Sequence, residues 1–227
     1  MNNEERLLSE KVRHRIDVFK SWLVDGADFV GKYEIPRIEH TTAVPLSAIP
    51  FDKAIDKTDS TTKYDQWVHF YQEDERFERF WNNPKSYLER LKRFQGVISP
   101  DFSLYRDLPL SMQIFNVYRN HALAVWLQRN GVKVVSNAVW GDSRSYEFCF
   151  DGTPRHSTVA TSTNGCLQDK LVRKLYIQGL SEMVKRLKPE TIVVYSYMPS
   201  DIFEKYRSAG IRLVHIPNYN DTVRGRA

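Results

Sequence analysis

Apolar residues recur at Leu8, Val12, Ile16, Phe19 and Leu23, with charged residues between them and Gly26 just beyond. That three-to-four spacing predicts an N-terminal amphipathic helix over residues 4–25. Its stripe needs cover, either from the main body or from a partner or second copy, because a free apolar face would stay in water. Residues 29–54 break into short pieces punctuated by Pro36, Pro45 and Pro50, with a weak strand over 37–42, and read as a wrapping segment. Residues 52–63 are polar and short-chained, which predicts an exposed, mobile loop.

From Trp67 onward the pattern alternates. A strand-like run at 67–71 precedes helical stretches at 73–81 and 85–94, where Asn83 can cap and Pro84 can take the first helical position. Gly96 punctuates, and a short apolar run follows that ends in Ser99-Pro100-Asp101. Pro109 starts a long helix to about residue 130, with Leu110, Ile114, Val117, His121, Ala124, Val125 and Gln128 on one broad face and Gly131 as its stop. Strands at 132–139, 157–161, 191–196 and 211–216 then alternate with helices at 168–187 and 201–209, the last capped by Ser200; residues 145–150 predict a short strand or turn.

Strand, helix, strand with short connections requires parallel right-handed crossovers. Near-continuous apolar strands such as Thr191-Ile192-Val193-Val194-Tyr195 suit a sheet covered on both faces. The fold class is therefore α/β with a parallel β/α core, as an incomplete or complete β/α barrel or an open doubly wound sheet. Residues 1–30 form an N-terminal helical appendage, 31–218 a single α/β domain, and 219–227 a polar tail.

With 227 residues, 41% of them hydrophobic, the chain can bury one sizeable core. Its formal charge of +5 suits an anionic partner, although the 33 Lys and Arg form no dense block and such a balance is common without any nucleic-acid role. Two cysteines are too few for a disulfide framework and read as buried reduced thiols of a cytoplasmic protein. No apolar run approaches the ~20 residues of a membrane span, and no signal-peptide core follows Met1.

Several scattered motifs carry a family resemblance: Phe77-Glu78-Arg79, Trp81-Asn82-Asn83-Pro84, Ser99-Pro100-Asp101-Phe102-Ser103, Leu108-Pro109-Leu110, Asn116-Val117-Tyr118-Arg119, Trp140-Gly141-Asp142, Cys149-Phe150-Asp151-Gly152 and Lys185-Arg186-Leu187-Lys188-Pro189. Over residues 33–216 the chain resembles the family catalogued as domain of unknown function 4417, whose members occur in phages, plasmids and conjugative elements. The resemblance implies a mobile-element origin and a nucleic-acid or host-defence setting. It supplies no reaction and no catalytic residues.

Parallel strands would gather Asp101, Asn137, Asp142, Ser162, Thr163, Asn164 and Tyr195 at their carboxyl ends. Arg106 comes from the adjoining loop, while Gln113 and Arg119 share part of a helix face. Asp101 and Asp142 are the candidate acid/base groups, each with a competing role as a turn residue that caps backbone N–H groups. Two carboxylates at one site would also suit Mg²⁺, which takes oxygen ligands, but no other cofactor is indicated. Arg106, Gln113, Arg119, Asn137, Tyr195 and the loop of Ser162, Thr163 and Asn164 are the candidate substrate-binding groups. That loop could offer backbone N–H groups to a phosphate, although it is no Walker sequence. No histidine spacing suggests zinc. Cys149 would be a nucleophile only beside a base.

Two functions fit this pattern. One is an α/β protein of a mobile element that binds or acts on a nucleotide or nucleic acid. The other is a non-catalytic accessory protein that engages a protein partner, or itself, through the N-terminal helix. Convergence of Asp101 and Asp142 in one pocket would favour the first, and ion-paired or turn-capping carboxylates the second.

Overall fold

The computed structural model describes residues 17–56, 62–223 and 225. A small antiparallel pair, β1 (Phe29–Val30) and β2 (Ile35–Pro36), precedes one seven-stranded sheet. The sheet contains β3 (Ala48–Pro50), β4 (Trp67–His69), β5 (Gly96–Ile98), β6 (Val134–Asn137), β7 (Thr158–Ser162), β8 (Thr191–Tyr195) and β9 (Arg212–Ile216). All neighbours are parallel, and their order across the sheet is their order along the chain. A doubly wound sheet reverses at a switch point. Here every crossover steps the same way, so the sheet curls in one sense and forms a half-barrel.

Rings inside the curl show how strong it is. His69 on β4 and Tyr195 on β8 have ring centroids 4.2 Å apart, although three strands lie between them. Four strand spacings in a flat sheet would separate them by roughly 19 Å. Each strand also gives at least one side chain to an inner apolar layer, including Ala48, Trp67, Ile98, Val135, Ala160, Val193 and Ile216. Gly96 makes room for Trp67, since a Cβ there would lie 2.4 Å from the indole. The sheet stays open between β3 and β9, and the short helix Tyr219–Val223 packs against β3 beside that seam. Its Tyr219 N–H donates to the Tyr195 hydroxyl at 3.1 Å.

Helices cover the outer face. The longest, Leu110–Arg129, is buried over most of residues 116–127, on nearly all sides rather than on one broad face. The reason is a second cover: the 3-10 turn Ser21–Val24 and β2 pack on it from outside, and Trp22 meets Trp126 edge-on at 5.8 Å. Gly131 ends this helix at φ +82, with Val132 N–H returning to the Leu127 carbonyl, the bond pattern of a Schellman stop. Lys170–Leu187 and Ser200–Ser208 follow β7 and β8. The crossover from β6 to β7 carries only the 3-10 turn Ser143–Glu147, which settles the strand-or-turn expectation there.

Other expectations change. Leu8, Val12 and Ile16 lie outside the described residues, but a helix continuous to residue 25 is excluded, because Lys20 has φ +56 and a 3-10 turn follows it. Leu23 is fully buried, whereas Phe19 is 81% exposed. Residues 37–42 form no strand; the first strand of the sheet is Ala48–Pro50, which its proline and brevity hid. Within 52–63, residues 57–61 lie outside the described residues, and Phe51–Ala54 is a helix with Ala54 fully buried. The 73–81 stretch divides into Asp74–Arg76 and Glu78–Asn82. Asn83 and Ser200 make no side-chain cap, and Asp169, not singled out from sequence, caps Leu171 and Val172.

Candidate functional site

Strand β5 ends at Ile98, and the chain turns through Ser99-Pro100-Asp101 at the carboxyl end of the sheet. Ser99 Oγ accepts the Asn137 N–H at 2.8 Å, tying β5 to β6 where their ladder stops. Asp101 then stands beside the Asn137 side chain. Nδ2 of Asn137 donates to Asp101 Oδ1 at 2.6 Å, and its Oδ1 accepts the Tyr71 hydroxyl at 3.0 Å. Tyr71 N–H in turn donates to His69 Nδ1 at 3.1 Å.

Burial sets the protonation states of this chain of groups. Loss of water pushes the Asp101 carboxyl up to about 7, against the opposing hydrogen bond from Asn137 and with a small push from the Asp74 charge. The same effect holds His69 neutral, down to about 3. Tyr71 is raised well above its ordinary value by burial, so its hydroxyl remains a donor. Asp101 Oδ2 has no hydrogen-bond partner among the described residues, and the residue lines an open cavity of about 560 Å³. A carboxyl poised near neutrality with one free oxygen can take or give a proton.

The turn-capping role considered for Asp101 belongs to other residues. Asn120 Oδ1 accepts Phe102 N–H at 2.8 Å while its Nδ2 donates to Phe102 O at 3.2 Å. Asn116 Nδ2 donates to Ser103 O at 2.7 Å, and Ser103 Oγ donates to Asp74 at 2.9 Å. Arg119 braces this clamp by donating to Asn116 and to both Glu78 oxygens, with its guanidinium 3.7 Å from the Phe102 ring centre. The loop bearing Asp101 is therefore held from the side of the long helix.

Among the residues expected at the strand ends, Asp101, Arg106, Asn137, Ser162 and Asn164 line the cavity together. The others lie elsewhere. Asp142 is outside the lining: it caps Arg144 N–H, and the hydrogen-bonded Arg144 guanidinium holds its carboxyl below the usual range. Gln113 is fully buried and donates to Leu108 O at 3.0 Å. Arg119 belongs to the clamp. Thr163 is buried with its hydroxyl on the Tyr195 and Tyr197 carbonyls. Tyr195 is 2% exposed, with its ring stacked on Tyr71 at 5.0 Å. The first N–H groups of helix Lys170–Leu187 are taken by Asp169, so the anion site at that terminus is filled by a side chain.

Further residues share the lining, among them Tyr71, Glu73, Tyr105, Trp140, Cys166 and Tyr176. Tyr71 was within reach, since alternation from Trp67 through His69 aims it inward. Trp140 is placed by Gly179, where a Cβ would come within 2.0 Å of the indole nitrogen. Cys166 faces the cavity as a thiol, pushed up to about 11 by burial and by the Asp101 charge; Cys149 is buried, and burial raises it further. Neither is a thiolate near neutral pH. Among the described residues no three His, Cys, Asp or Glu side chains gather as metal ligands, and Asp142 does not join Asp101, so the donor set suggested for Mg²⁺ does not form.

Fold and site together define a parallel α/β half-barrel protein with an Asp101-lined cavity at the carboxyl ends of its strands. Comparison with known families agrees with the sequence motifs. The chain belongs to the family described as domain of unknown function DUF4417, whose family model matches residues 27–219. It is 34% identical over 166 residues to the Gene 1 protein of Mycobacterium phage L5, covering 73% of this chain and 72% of that protein. Identity to the Gene 1 protein of Mycobacterium phage D29 is 33% over 163 residues, covering 72% of this chain and 60% of that protein. No solved structure matches. The protein is thus of phage type, and no helix among the described residues is long and apolar enough to cross a membrane.

Proposed function

We propose that the protein binds a nucleotide, free or at the end of a single strand, in the cavity at the strand ends, and that Asp101 exchanges a proton with it. The observation that carries this reading is the Asp101 carboxyl, raised to about 7, held by Asn137 on one oxygen and open on the other. A cavity of about 560 Å³ suits one nucleotide-sized ligand and is too small for a duplex. Tyr71, Tyr105, Trp140 and Tyr176 offer ring surface, Arg106 offers a cation for phosphate, and Ser162 and Asn164 offer polar contacts. Both described cysteines are free, which agrees with a cytoplasmic place of action.

Equilibrium titration with nucleoside monophosphates and short single strands tests the proposal. Saturable binding that weakens modestly with salt and inflects near pH 7 is expected, with the inflection lost in Asp101→Asn. Absence of binding to every nucleotide and single strand tried would overturn it.

A further inference from the structure

A second cavity adjoins the first. It holds about 480 Å³ and shares Tyr105 as a common wall. Its rim is apolar and unusually open: Tyr105 is 54% exposed, Met112 50% and Phe115 49%. Exposed large apolar side chains clustered on one surface mark a binding site more often than chance. Phe115 is also held as a platform, since the Arg119 guanidinium lies 5.2 Å from its ring centre and Trp81 meets it edge-on at 5.9 Å. The cavity is lined besides by Asp74, whose carboxylate is turned to Ser103, and by Arg119, whose guanidinium is already paired with Glu78.

Charge decides what such a cavity takes. Asp74 would repel a phosphate, but it can accept a hydrogen bond from the amino edge of a base whose ring lies on Phe115. The adjoining cation, Arg106, lines the first cavity and follows Tyr105 in the chain. A phosphate beside Arg106 would therefore join one nucleoside in the first cavity to another in the second, passing Tyr105. We infer that the second cavity is a base-stacking subsite for the neighbouring nucleotide, so that the ligand class is a single-stranded oligonucleotide rather than a free mononucleotide. This inference rests on the reading of the first cavity as a nucleotide site.

Calorimetric titration with deoxyadenosine monophosphate, the deoxyadenosine dinucleotide and a deoxyadenosine hexanucleotide, whose base carries that amino edge, tests it. The dinucleotide is expected to bind about tenfold or more tighter than the monophosphate, the gain of one stacked base. Phe115→Ser should abolish that gain and leave monophosphate binding unchanged; Met112→Ser, at a half-exposed position, should reduce it. Equal affinity for monophosphate and dinucleotide overturns the subsite and leaves the first cavity's reading intact. Failure of all three ligands to bind overturns both.

Discussion

Asn137 donates its side-chain N–H to Asp101 over 2.6 Å, and among the described residues this is the one hydrogen bond that holds the Asp101 carboxyl. Because the same amide accepts the Tyr71 hydroxyl, its orientation is fixed and its N–H must face Asp101. A half-buried carboxyl thus lines the cavity with no cation paired to it among the described residues. That combination leaves it poised near neutral pH.

The raised carboxyl links stability to pH. Its ordinary value is 3.8 and its folded value about 7, so its favourable contribution is complete below about pH 4 and is lost as pH rises through 7. Asp101→Asn keeps the acceptor for Asn137 and removes the buried charge. The variant should match wild type near pH 4 and exceed it at pH 8 by roughly 1–3 kcal/mol, read from thermal melting across that range.

Asn137→Ala removes both the donor to Asp101 and the acceptor for Tyr71. The hydrogen bond from Asn137 lowers the Asp101 value, so its loss should drive that carboxyl further up. Two stranded polar groups should also cost about 1–3 kcal/mol. Chemical denaturation gives the second quantity, and carbon NMR of labelled aspartate gives the first.

Asn120→Ala should destabilise by about 2 kcal/mol or more, because Phe102 then loses partners for both its buried N–H and its carbonyl. Hydrogen exchange should rise first at residues 101–104, before the sheet strands open. Uniform loosening of the whole chain would argue that Asn120 serves general packing and not the Asp101 loop.

Gly179→Ala puts a methyl group into the Trp140 indole. Since Trp140 lines the cavity, the change should cost about 1–3 kcal/mol by overpacking and also shift tryptophan fluorescence and weaken ligand binding. Gly210→Ala provides the contrast, because no atom lies within 4 Å of a Cβ there. Its cost should come from the positive φ alone and leave binding unchanged.

Much of the fold was legible because its central strands are buried on both faces and its helices are bounded by Pro109, Gly131 and Gly210. Periodicity along one chain could not show that seven strands would follow sequential order, which distinguishes a half-barrel from a doubly wound sheet. The first strand was missed for a physical reason: Ala48-Ile49-Pro50 has too few residues to show alternation. At the site, the strand-end rule found Asp101, Asn137, Ser162 and Asn164, and the adjoining loop supplied Arg106. It also admitted Asp142, because a residue after Trp140-Gly141 reads alike whether its carboxylate enters a cavity or caps the next turn. Arg119 and Gln113 were traced to the right helix, but their partners, Glu78 and the Leu108 carbonyl, are set by tertiary packing. The two-carboxylate test thus divides: Asp101 lies in the cavity, and Asp142 is ion-paired on its own turn.

The central claim is that Asp101 is a proton-exchanging group at the cavity floor. Its most direct test is the carboxyl titration of Asp101 by carbon NMR, with the signal assigned through Asp101→Asn. A midpoint about 7 is expected, far above the ordinary 3.8. A midpoint near 4 would contradict it, because an aspartate fully ionised through the neutral range would hold no proton to exchange.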